Sequence, residues 1–250
     1  MSLRGKRALV TGSSKGIGAA IARSFASEGA VVAVNHRSSA AEANAVAKSI
    51  RTKGGKAFVV QADVSDSASV YSMFRQVRRE LGGLDVLVNC AGLASADIWN
   101  AKFGSLTPEM LRKVFEVDLV GTFLCSQRAV PLMRKEGGAI VNIASTPVLT
   151  GDVDGIAYAP VKASVLTLTK MLARTLAPKI RVNCMVLGSI ETGWVDWLSR
   201  ERVRAYTKGI PLRRFGSPAE VAKVAVFFAS DASSYVTGQS LVVDGGEVMD

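Results

Sequence analysis

The chain has 250 residues, of which 48% are hydrophobic, and a formal net charge of +10. This length predicts one α/β domain with a large apolar core. Its apolar runs reach only about eight residues, which excludes a membrane-spanning helix, and we expect no secretion signal because the first strand begins close to the N-terminus. The lysines and arginines are scattered, which favours a solvated surface over a nucleic-acid interface.

Cysteine and histidine usage predicts neither disulfides nor a metal centre. Cys90, Cys125 and Cys184 are odd in number, lie in apolar contexts and form no Cys-x-x-Cys pair. We therefore expect buried, reduced thiols in a cytoplasmic protein. The single histidine, His36, belongs to no cluster with metal-ligand spacing, so zinc catalysis is not predicted.

Short apolar runs alternate with amphipathic segments along the whole chain. The predicted strands are Arg7–Val10, Val31–Asn35, Ala57–Gln61, Val86–Asn89, Ala139–Ala144, Arg181–Val186 and Ser240–Val243. The predicted helices are Gly16–Glu28, Ala40–Lys53, Ser67–Leu81, Pro108–Arg134, Ala157–Leu176 and Pro218–Ala229. This alternation predicts a doubly wound, Rossmann-type parallel sheet with helices on both faces and no internal domain boundary.

A glycine-rich turn joins the first predicted strand to the first predicted helix. Its sequence is Thr11-Gly-Ser-Ser-Lys-Gly-Ile-Gly18, in the strand–turn–helix context of a dinucleotide fingerprint. Gly12 allows the tight turn, Gly16 lets the backbone approach a pyrophosphate at the helix N-terminus, and Gly18 permits close helix–strand packing. The alternative is a glycine-rich turn without a ligand, because the glycine spacing differs from the common Gly-x-Gly-x-x-Gly.

A tyrosine and a lysine lie four residues apart, in Tyr158-Ala-Pro-Val-Lys162. On a helix they share one face, so the Lys162 ammonium is expected to lower the pKa of Tyr158 from its usual value of about 10 toward neutral pH. Ser145 ends an apolar run and is therefore expected at the carboxyl end of a strand, where ligands bind in open α/β sheets. The three groups suit proton transfer to a carbonyl oxygen. Alone, the Tyr-x-x-x-Lys pattern is equally consistent with a solvated pair.

Taken together, these motifs resemble the short-chain dehydrogenase/reductase family from about Leu3 to the C-terminus. The matching segments are the glycine-rich turn, Asp63-Val64, Asn89-Cys-Ala-Gly92, Ser145, Tyr158 to Lys162, Leu187-Gly-Ser-Ile-Glu-Thr192, and Tyr235-Val-Thr-Gly238 through Val243-Asp-Gly-Gly246. Within the family the chain is most similar to 3-oxoacyl-[acyl-carrier-protein] reductases and to sugar dehydrogenases. The resemblance implies a seven-stranded sheet of order 3-2-1-4-5-6-7, one domain over residues 1–250 with a lid at about 193–208, and a homotetramer.

The resemblance also assigns a nicotinamide cofactor and its contacts. Asp63 is expected to accept the adenine amino group, Val64 to offer its backbone N–H, and Asn89 to brace the fourth strand. The full set of implied cofactor-binding residues is Gly12, Ser14, Lys15, Gly16, Ile17, Gly18, Asn35, Arg37, Ser38, Asp63, Val64, Asn89, Ala91, Gly92, Tyr158, Lys162, Gly188, Ile190 and Thr192.

The second predicted strand ends without the acidic residue that would bind the ribose hydroxyl of NAD. Lys15 and Arg37 occupy positions where basic residues contact the 2′-phosphate in NADP-preferring relatives. We therefore expect NADP(H), with NAD(H) as the alternative if these are ordinary surface cations. His36 lies beside this ribose site, away from the reacting carbonyl.

Three residues depart from the family pattern. Asp118 stands where the family has Asn, whose backbone carbonyl holds a proton-relay water. A backbone role tolerates Asp, whereas a carboxylate near Lys162 would partly neutralise its effect on the tyrosine. Leu187 replaces a proline and Cys90 replaces an asparagine.

Substrate specificity is expected from the segments Leu93–Phe103, Thr146–Gly155 and Gly193–Lys208. In the last of these, Trp194 and Trp197 either line an apolar or sugar-binding pocket, or serve packing, of the lid on the body or between subunits. Asp152 and Asp154 either hydrogen-bond a polyol or cap the next helix.

The sequence therefore predicts an NADP(H)-dependent carbonyl reductase of the 3-oxoacyl-carrier-protein type. Tyr158 would donate the proton, Ser145 would orient the carbonyl oxygen, and Lys162 would bind the nicotinamide ribose; Asp118 is a further candidate site residue. Its partners would be a small or acyl-thioester carbonyl substrate and a candidate acidic acyl carrier protein. The alternatives are a sugar or polyol dehydrogenase and, more remotely, a weakly catalytic NADP(H)-binding protein.

Overall fold

Seven parallel strands form one sheet in the order β3-β2-β1-β4-β5-β6-β7, which confirms the predicted fold. The computed structural model describes residues 2–93, 95–133, 137–152 and 154–249. Its strands are β1 (Arg7–Val10), β2 (Val31–His36), β3 (Lys56–Gln61), β4 (Val86–Asn89), β5 (Gly138–Ser145), β6 (Ile180–Leu187) and β7 (Ser240–Val243). The strand order changes direction between β1 and β4, so the carboxyl ends of these two strands flank the crevice where such sheets bind ligands.

Helices cover both faces of the sheet. They are α1 (Gly16–Ser27), α2 (Ala40–Thr52), α3 (Ser67–Leu81), α4 (Ala96–Trp99), α5 (Pro108–Val114), α6 (Gly121–Ala129), α7 (Pro147–Thr150), α8 (Ala159–Leu176), α9 (Arg200–Gly209) and α10 (Pro218–Ala229). Predicted strand ends differ from the structure by at most one residue, the usual spread of element boundaries. The short helices α4, α7 and α9 were not predicted, and all three lie in the segments expected to contact substrate.

Two apolar clusters bury the two faces of the sheet. On one face Phe25 of α1 and Phe228 of α10 pack against β1, β2 and β4. On the other, Met73 of α3 and Cys125 of α6 pack with residues of β4, β5 and β6. The strands are apolar on both sides because neither face meets solvent.

The two edges of the sheet differ in their polar groups. At the amino ends of β1 and β4, Arg7 Nε lies 2.9 Å from Asp85 Oδ2 in a largely buried ion pair. The polar residues predicted to bind ligand lie at the opposite, carboxyl edge. The buried Arg7–Asp85 ion pair and the candidate ligand-binding residues thus lie at opposite ends of the strands.

The long helix predicted over Pro108–Arg134 is interrupted. Between α5 and α6 the residues Phe115–Val120 form a π-helical turn, and Arg134 lies outside the described residues. Thr122 and Ser126 each donate their hydroxyls to the carbonyl four residues earlier, both at 2.7 Å, and such bonds disturb regular helix geometry. The π-turn contains Asp118, which is fully buried, and π-turns inside helices frequently mark functional sites.

Candidate active site

The glycine-rich turn is held between the first and fourth strands. Gly12, at a φ of +62°, packs so closely on Ala91 that an added Cβ would lie 2.8 Å from the Ala91 Cα. Its N–H donates to Asn35 Oδ1 at 2.9 Å. The Thr11 hydroxyl accepts from the N–H groups of Cys90 and Ala91, both at 3.0 Å. A side chain at Gly12 would therefore displace the loop after β4.

The N-terminus of α1 is open to a phosphate group. Lys15 precedes the helix, makes no side-chain cap, and the first turn of α1 contains no acidic residue. Gly16, at a φ of +55°, faces Thr192, whose Cγ2 would lie 3.5 Å from an added Cβ. Free helix N–H groups without a competing carboxylate fit a pyrophosphate. The other predicted residues of the turn, Ser14, Ile17 and Gly18, are buried or half-buried.

At the end of β2 the structure separates a supporting residue from exposed ones. Asn35 is buried, and its Nδ2 donates to the Ala62 carbonyl at 3.2 Å. It therefore supports the glycine-rich turn from below rather than lining the crevice. Arg37 and Ser38 are exposed, and the Arg37 guanidinium lies 3.9 Å from Asp63 Oδ2. An exposed cation at this position fits a 2′-phosphate.

The residues after β3 form a small rigid turn. Asp63 Oδ1 accepts from the Ser65 N–H at 2.9 Å and from the Ser65 hydroxyl at 2.6 Å. Val64 packs against Gly121, where an added Cβ would lie 2.8 Å from the Val64 Cγ2. The Asp63 carboxylate is thus oriented by its own turn and keeps its second oxygen on the side of Arg37.

Asn89 is part of a buried polar chain inside the sheet. Its Nδ2 donates to Ser126 Oγ at 3.1 Å and to Asn142 Oδ1 at 2.8 Å, and Asn142 donates in turn to Thr169 Oγ1 at 2.9 Å. The chain links β4 and β5 to α6 and α8. The Asn89 side chain therefore joins β4 to its neighbours β5 and α6.

The loop after β6 closes the other side of the crevice. The Gly188 N–H donates to the Val243 carbonyl at 3.1 Å. Ile190 is buried, and Thr192 reaches the glycine-rich turn at Gly16. These contacts bring the first and sixth βα loops together across the carboxyl edge.

Ser145, Tyr158 and Lys162 are assembled beside this crevice. Ser145 is the last residue of β5, and its hydroxyl donates to the Leu187 carbonyl at 3.3 Å. Tyr158 directly precedes α8, and Lys162 follows one turn later with Nζ 5.5 Å from the centre of the tyrosine ring. The Lys162 Nζ also donates to the Ile143 carbonyl at 3.1 Å.

The expected lowering of the Tyr158 pKa is wrong. Burial raises the pKa of Tyr158, and Lys162 and the nearby Ser145 hydroxyl lower it by less. The Asp118 carboxylate raises it further. The reason is that a buried phenolate loses its hydration, and the single neighbouring cation is opposed by an anion.

Asp118 places its carboxylate directly on the lysine. Its Oδ1 lies 2.6 Å from Lys162 Nζ, with the two side chains 0% and 6% exposed. Its Oδ2 accepts from the Leu93 N–H at 2.7 Å. Gly92 packs on the same carboxylate, because an added Cβ would lie 3.0 Å from Oδ1. Burial lowers the pKa of Lys162, but Asp118 and Tyr158 together raise it above its ordinary value, so the lysine is a cation.

An aromatic wall stands against the tyrosine. The Trp99 ring meets Tyr158 edge-on, with centroids 5.6 Å apart. Gly155 lies against the other part of this indole, since an added Cβ would be 2.9 Å from the ring, and its N–H donates to the Trp99 carbonyl at 2.9 Å. Leu93 and Ile98 extend the same apolar cluster.

The segment expected to form a lid is tied to the body by one arginine. Arg202 of α9 places its Nη2 3.0 Å from Asp154 Oδ2 and donates from Nη1 to Asn100 Oδ1 at 3.4 Å. Asp154 therefore binds α9, and α8 has no side-chain cap among the described residues. The other aspartate considered, Asp152, accepts from the Thr150 hydroxyl at 2.8 Å.

The two tryptophans of the 193–208 segment have different surroundings. Trp194 packs on Tyr206 and Phe215, with ring centroids 5.9 and 5.6 Å away, and donates its Nε1–H to the Ile190 carbonyl. Trp197 ends a short 3₁₀ turn and is 37% exposed. Trp194 therefore has the second predicted role, because it packs against its own segment and against the body of the domain.

Comparison with known proteins agrees with this geometry. A family model described as enoyl-(acyl carrier protein) reductase matches residues 12–247. The chain is 39% identical over 246 residues to the 3-oxoacyl-[acyl-carrier-protein] reductase FabG of Staphylococcus aureus, covering 98% of both. It belongs to the short-chain dehydrogenase/reductase family.

Solved structures of this short-chain dehydrogenase/reductase family superimpose on the whole chain. An enzyme of Serratia marcescens has a TM-score of 0.92 at 35% identity and 99% coverage of both chains. A protein of Brucella melitensis titled glucose/ribitol dehydrogenase has a TM-score of 0.93 at 30% identity, covering 100% of this chain and 99% of its own. As a member of the family, the chain is an oxidoreductase that uses a nicotinamide cofactor.

The departures from the family pattern leave the reacting groups in place. Leu187 extends β6, where it pairs with Ser145 on one side and Val243 on the other. Burial raises the pKa of the Cys90 and Cys184 thiols to about 12, so both are neutral near pH 7. Only Asp118 adds a charge to the short-chain dehydrogenase/reductase site.

Sequence reasoning missed Trp99 and Arg202. Both lie in segments that were named as substrate-facing, but their contacts join loops far apart in the chain, and no local pattern signals such contacts. Over the described residues, no group of His, Cys, Asp and Glu has metal-binding geometry. In the same part of the chain, no helix combines the length and apolarity that crossing a bilayer needs.

We predict that Arg202→Ala loosens the lid and raises KM for the carbonyl substrate two- to fivefold with little change in kcat. The ion pair with Asp154 is partly exposed, so it contributes at most about 1 kcal/mol, or roughly fivefold in affinity. Steady-state kinetics of Arg202→Ala, Asp154→Asn and the double variant measure this change in KM. The double variant should raise KM no more than either single variant does. Arg204→Ala is the control, because it removes the same charge from the same helix. An equal rise in KM in Arg204→Ala would contradict a specific role for the Arg202–Asp154 ion pair.

Proposed function

We propose that this enzyme is an NADP(H)-dependent reductase of 3-oxoacyl thioesters of the acyl-carrier-protein type. The observation that carries the proposal is the assembly of Ser145, Tyr158 and Lys162 beside a glycine-rich turn flanked by exposed basic residues. The FabG relative supports the substrate class, since it covers nearly the whole chain.

The residues at the carboxyl edge fit an NADP(H) molecule. The α1 N-terminus with Gly12 and Gly16 would hold the pyrophosphate, and Lys15 and Arg37 would hold the 2′-phosphate. Asp63 would receive the adenine amino group. Ala91, Gly92 and the loop Gly188 to Thr192 would line the nicotinamide ribose. The bound nicotinamide supplies or removes the hydride.

Side chains of the enzyme would transfer the proton of the reaction. Ser145, fixed at the end of β5, would orient and polarise the substrate carbonyl oxygen, and Tyr158 would give its phenolic proton to that oxygen. Lys162 would bind the nicotinamide ribose and stabilise the tyrosinate left behind. Trp99 and Gly155 bound the space next to the tyrosine and restrict where a carbonyl can lie.

A sugar or polyol dehydrogenase with the same chemistry is the second candidate. The polar cluster of Arg202, Asp154 and Asn100 in the segments expected to contact substrate favours it, because these groups suit hydroxyl-rich ligands. The similar Brucella protein carries a name of this kind.

We further propose a single domain over residues 1–250 with a substrate lid at about 193–208, acting in the cytoplasm as a homotetramer. Exposed apolar side chains on adjoining helices, Leu111, Phe115, Phe123 and Met171, support subunit contact. The net charge of +10 supports an acidic acyl carrier protein as a partner.

We predict that acetoacetyl thioesters are reduced with a higher kcat/KM than any aldose or polyol is reduced or oxidised. The apolar wall beside Tyr158 is the physical reason, because it suits an acyl chain better than a sugar ring. Absorbance at the reduced-nicotinamide band measures the panel in both directions. A clear preference for aldoses or polyols would replace the reductase proposal by the second candidate.

We predict a preference for NADPH over NADH. A charge-assisted hydrogen bond contributes about 1.5–3 kcal/mol, which corresponds to roughly ten- to a hundredfold in selectivity for each contact with Lys15 or Arg37. The kcat/KM ratio of the two cofactors should fall in Arg37→Ala and stay unchanged in Arg174→Ala, an exposed cation on the last turns of α8. Equal use of both cofactors by the unmodified enzyme would sink the assignment.

We predict that Tyr158→Phe abolishes turnover and leaves NADPH binding nearly intact. The substitution removes the proton donor and keeps the ring that Trp99 contacts. Fluorescence titration of NADPH and stopped-flow turnover test the two parts separately. Substantial turnover in this variant would show that the proton comes from another group.

A further inference from the structure

The carboxylate of Asp118 is fixed on the catalytic lysine from two sides. One oxygen lies 2.6 Å from Lys162 Nζ, and the other accepts the Leu93 N–H at 2.7 Å. The Asp118 carbonyl accepts the Thr122 hydroxyl at 2.7 Å. Both ends of the residue are therefore held, and the carboxylate is not free to turn away from the lysine.

Local backbone structure makes this approach possible. Asp118 lies within the π-helical turn Phe115–Val120, and such turns inside helices frequently mark functional sites. Gly92 leaves the space that the carboxylate fills, since a Cβ there would lie 3.0 Å from Oδ1. The π-turn and Gly92 are far apart in the chain, and both contribute to the contact between Asp118 and Lys162.

The contact changes the charge that surrounds the tyrosine. The titratable or polar groups that influence Tyr158 are Lys162 on α8, Asp118 on the π-turn, Ser145 on β5 and Cys90 after β4, and Cys184 on β6 acts on the lysine. The two thiols are neutral because burial raises the pKa of each to about 12. One buried cation and one buried anion remain, and their fields at the phenol oppose each other.

We propose that Asp118 is a positioning residue that keeps the Tyr158 phenol protonated and so makes the site a proton donor, suited to carbonyl reduction rather than alcohol oxidation. The inference rests on the proposed role of Tyr158. In reduction the phenol O–H breaks, the substrate alcohol O–H forms, and the hydride comes from the reduced nicotinamide dinucleotide. The tyrosinate left behind regains its proton from solvent. Oxidation needs the tyrosinate first, and the carboxylate disfavours that form.

The sign of the pH dependence follows from the charge. Reductive kcat/KM falls as pH rises through the Tyr158 pKa, and oxidative kcat/KM rises there. In Asp118→Asn both transitions should move to lower pH by about one unit, the low end of the roughly 1–3 units that a nearby charge produces, because the variant removes the anion that opposes Lys162. Reduction near neutral pH should persist in this variant.

A readout that does not need turnover comes from the absorbance of tyrosinate in the cofactor-free protein. The titration of each protein minus that of its Tyr158→Phe counterpart isolates Tyr158 from the other tyrosines. The Tyr158 midpoint should be lower in Asp118→Asn than in the unmodified enzyme. Asp85→Asn is the matched control, because it breaks another buried ion pair, with Arg7 at the opposite edge of the sheet. It should lower stability without moving the midpoint.

The possible results distinguish a failure of the Asp118 proposal from a failure of the proposed role of Tyr158. Superimposable titrations and pH–rate profiles for Asp118→Asn and the unmodified enzyme would overturn the role of Asp118. An equal shift in Asp85→Asn would also overturn it, because loosened folding would then be the cause. A shifted titration with unshifted rate profiles would instead remove Tyr158 as proton donor, and the proposed mechanism would fail with it.

Discussion

All seven strands run parallel, and this one constraint places the site. Every strand-to-helix connection must leave from the same edge, so the loops after β1, β4, β5 and β6 converge there whatever their distance in the chain. Gly12 meets Ala91, Gly16 meets Thr192, and Ser145 meets the Leu187 carbonyl. The opposite edge has loop contacts of its own, such as the Leu84 N–H with the Leu132 carbonyl at 2.8 Å, and it carries the buried Arg7–Asp85 pair.

Burial decides the electrostatics of this edge. Solvent would screen the ion pair of Lys162 and Asp118 if it were exposed, but both side chains are almost completely enclosed. The same enclosure penalises a tyrosinate, so its neighbours determine whether Tyr158 carries a proton. Excluding water strengthens the electrostatic interactions of each charge at the site, including those of Asp118, which opposes the lysine.

The buried polar chain gives the site its rigidity. The hydroxyls of Thr122 and Ser126 and the amides of Asn89 and Asn142 connect the π-turn to the centre of the sheet. Most polar groups of this network are paired, which limits its alternative arrangements, and among the described residues the buried Asn89 Oδ1 is without a hydrogen-bond partner. The lid contrasts with this core: its tie through Arg202 and Asp154 is partly exposed and correspondingly weaker.

Local pattern in the sequence was enough to predict the strands, most of the main helices and the glycine-rich turn, because each depends on residue type and short-range spacing. The prediction of Ser145, Tyr158 and Lys162 as a set also needed the resemblance to the family. The resemblance to the family, rather than local pattern, marked Asp118 as unusual. Neither local pattern nor the resemblance determined where the Asp118 carboxylate points, that the Tyr158 pKa is raised, or that Trp99 and Arg202 border the site. Those properties depend on burial and on contacts between loops distant in the chain, and only the packed tertiary structure decides them.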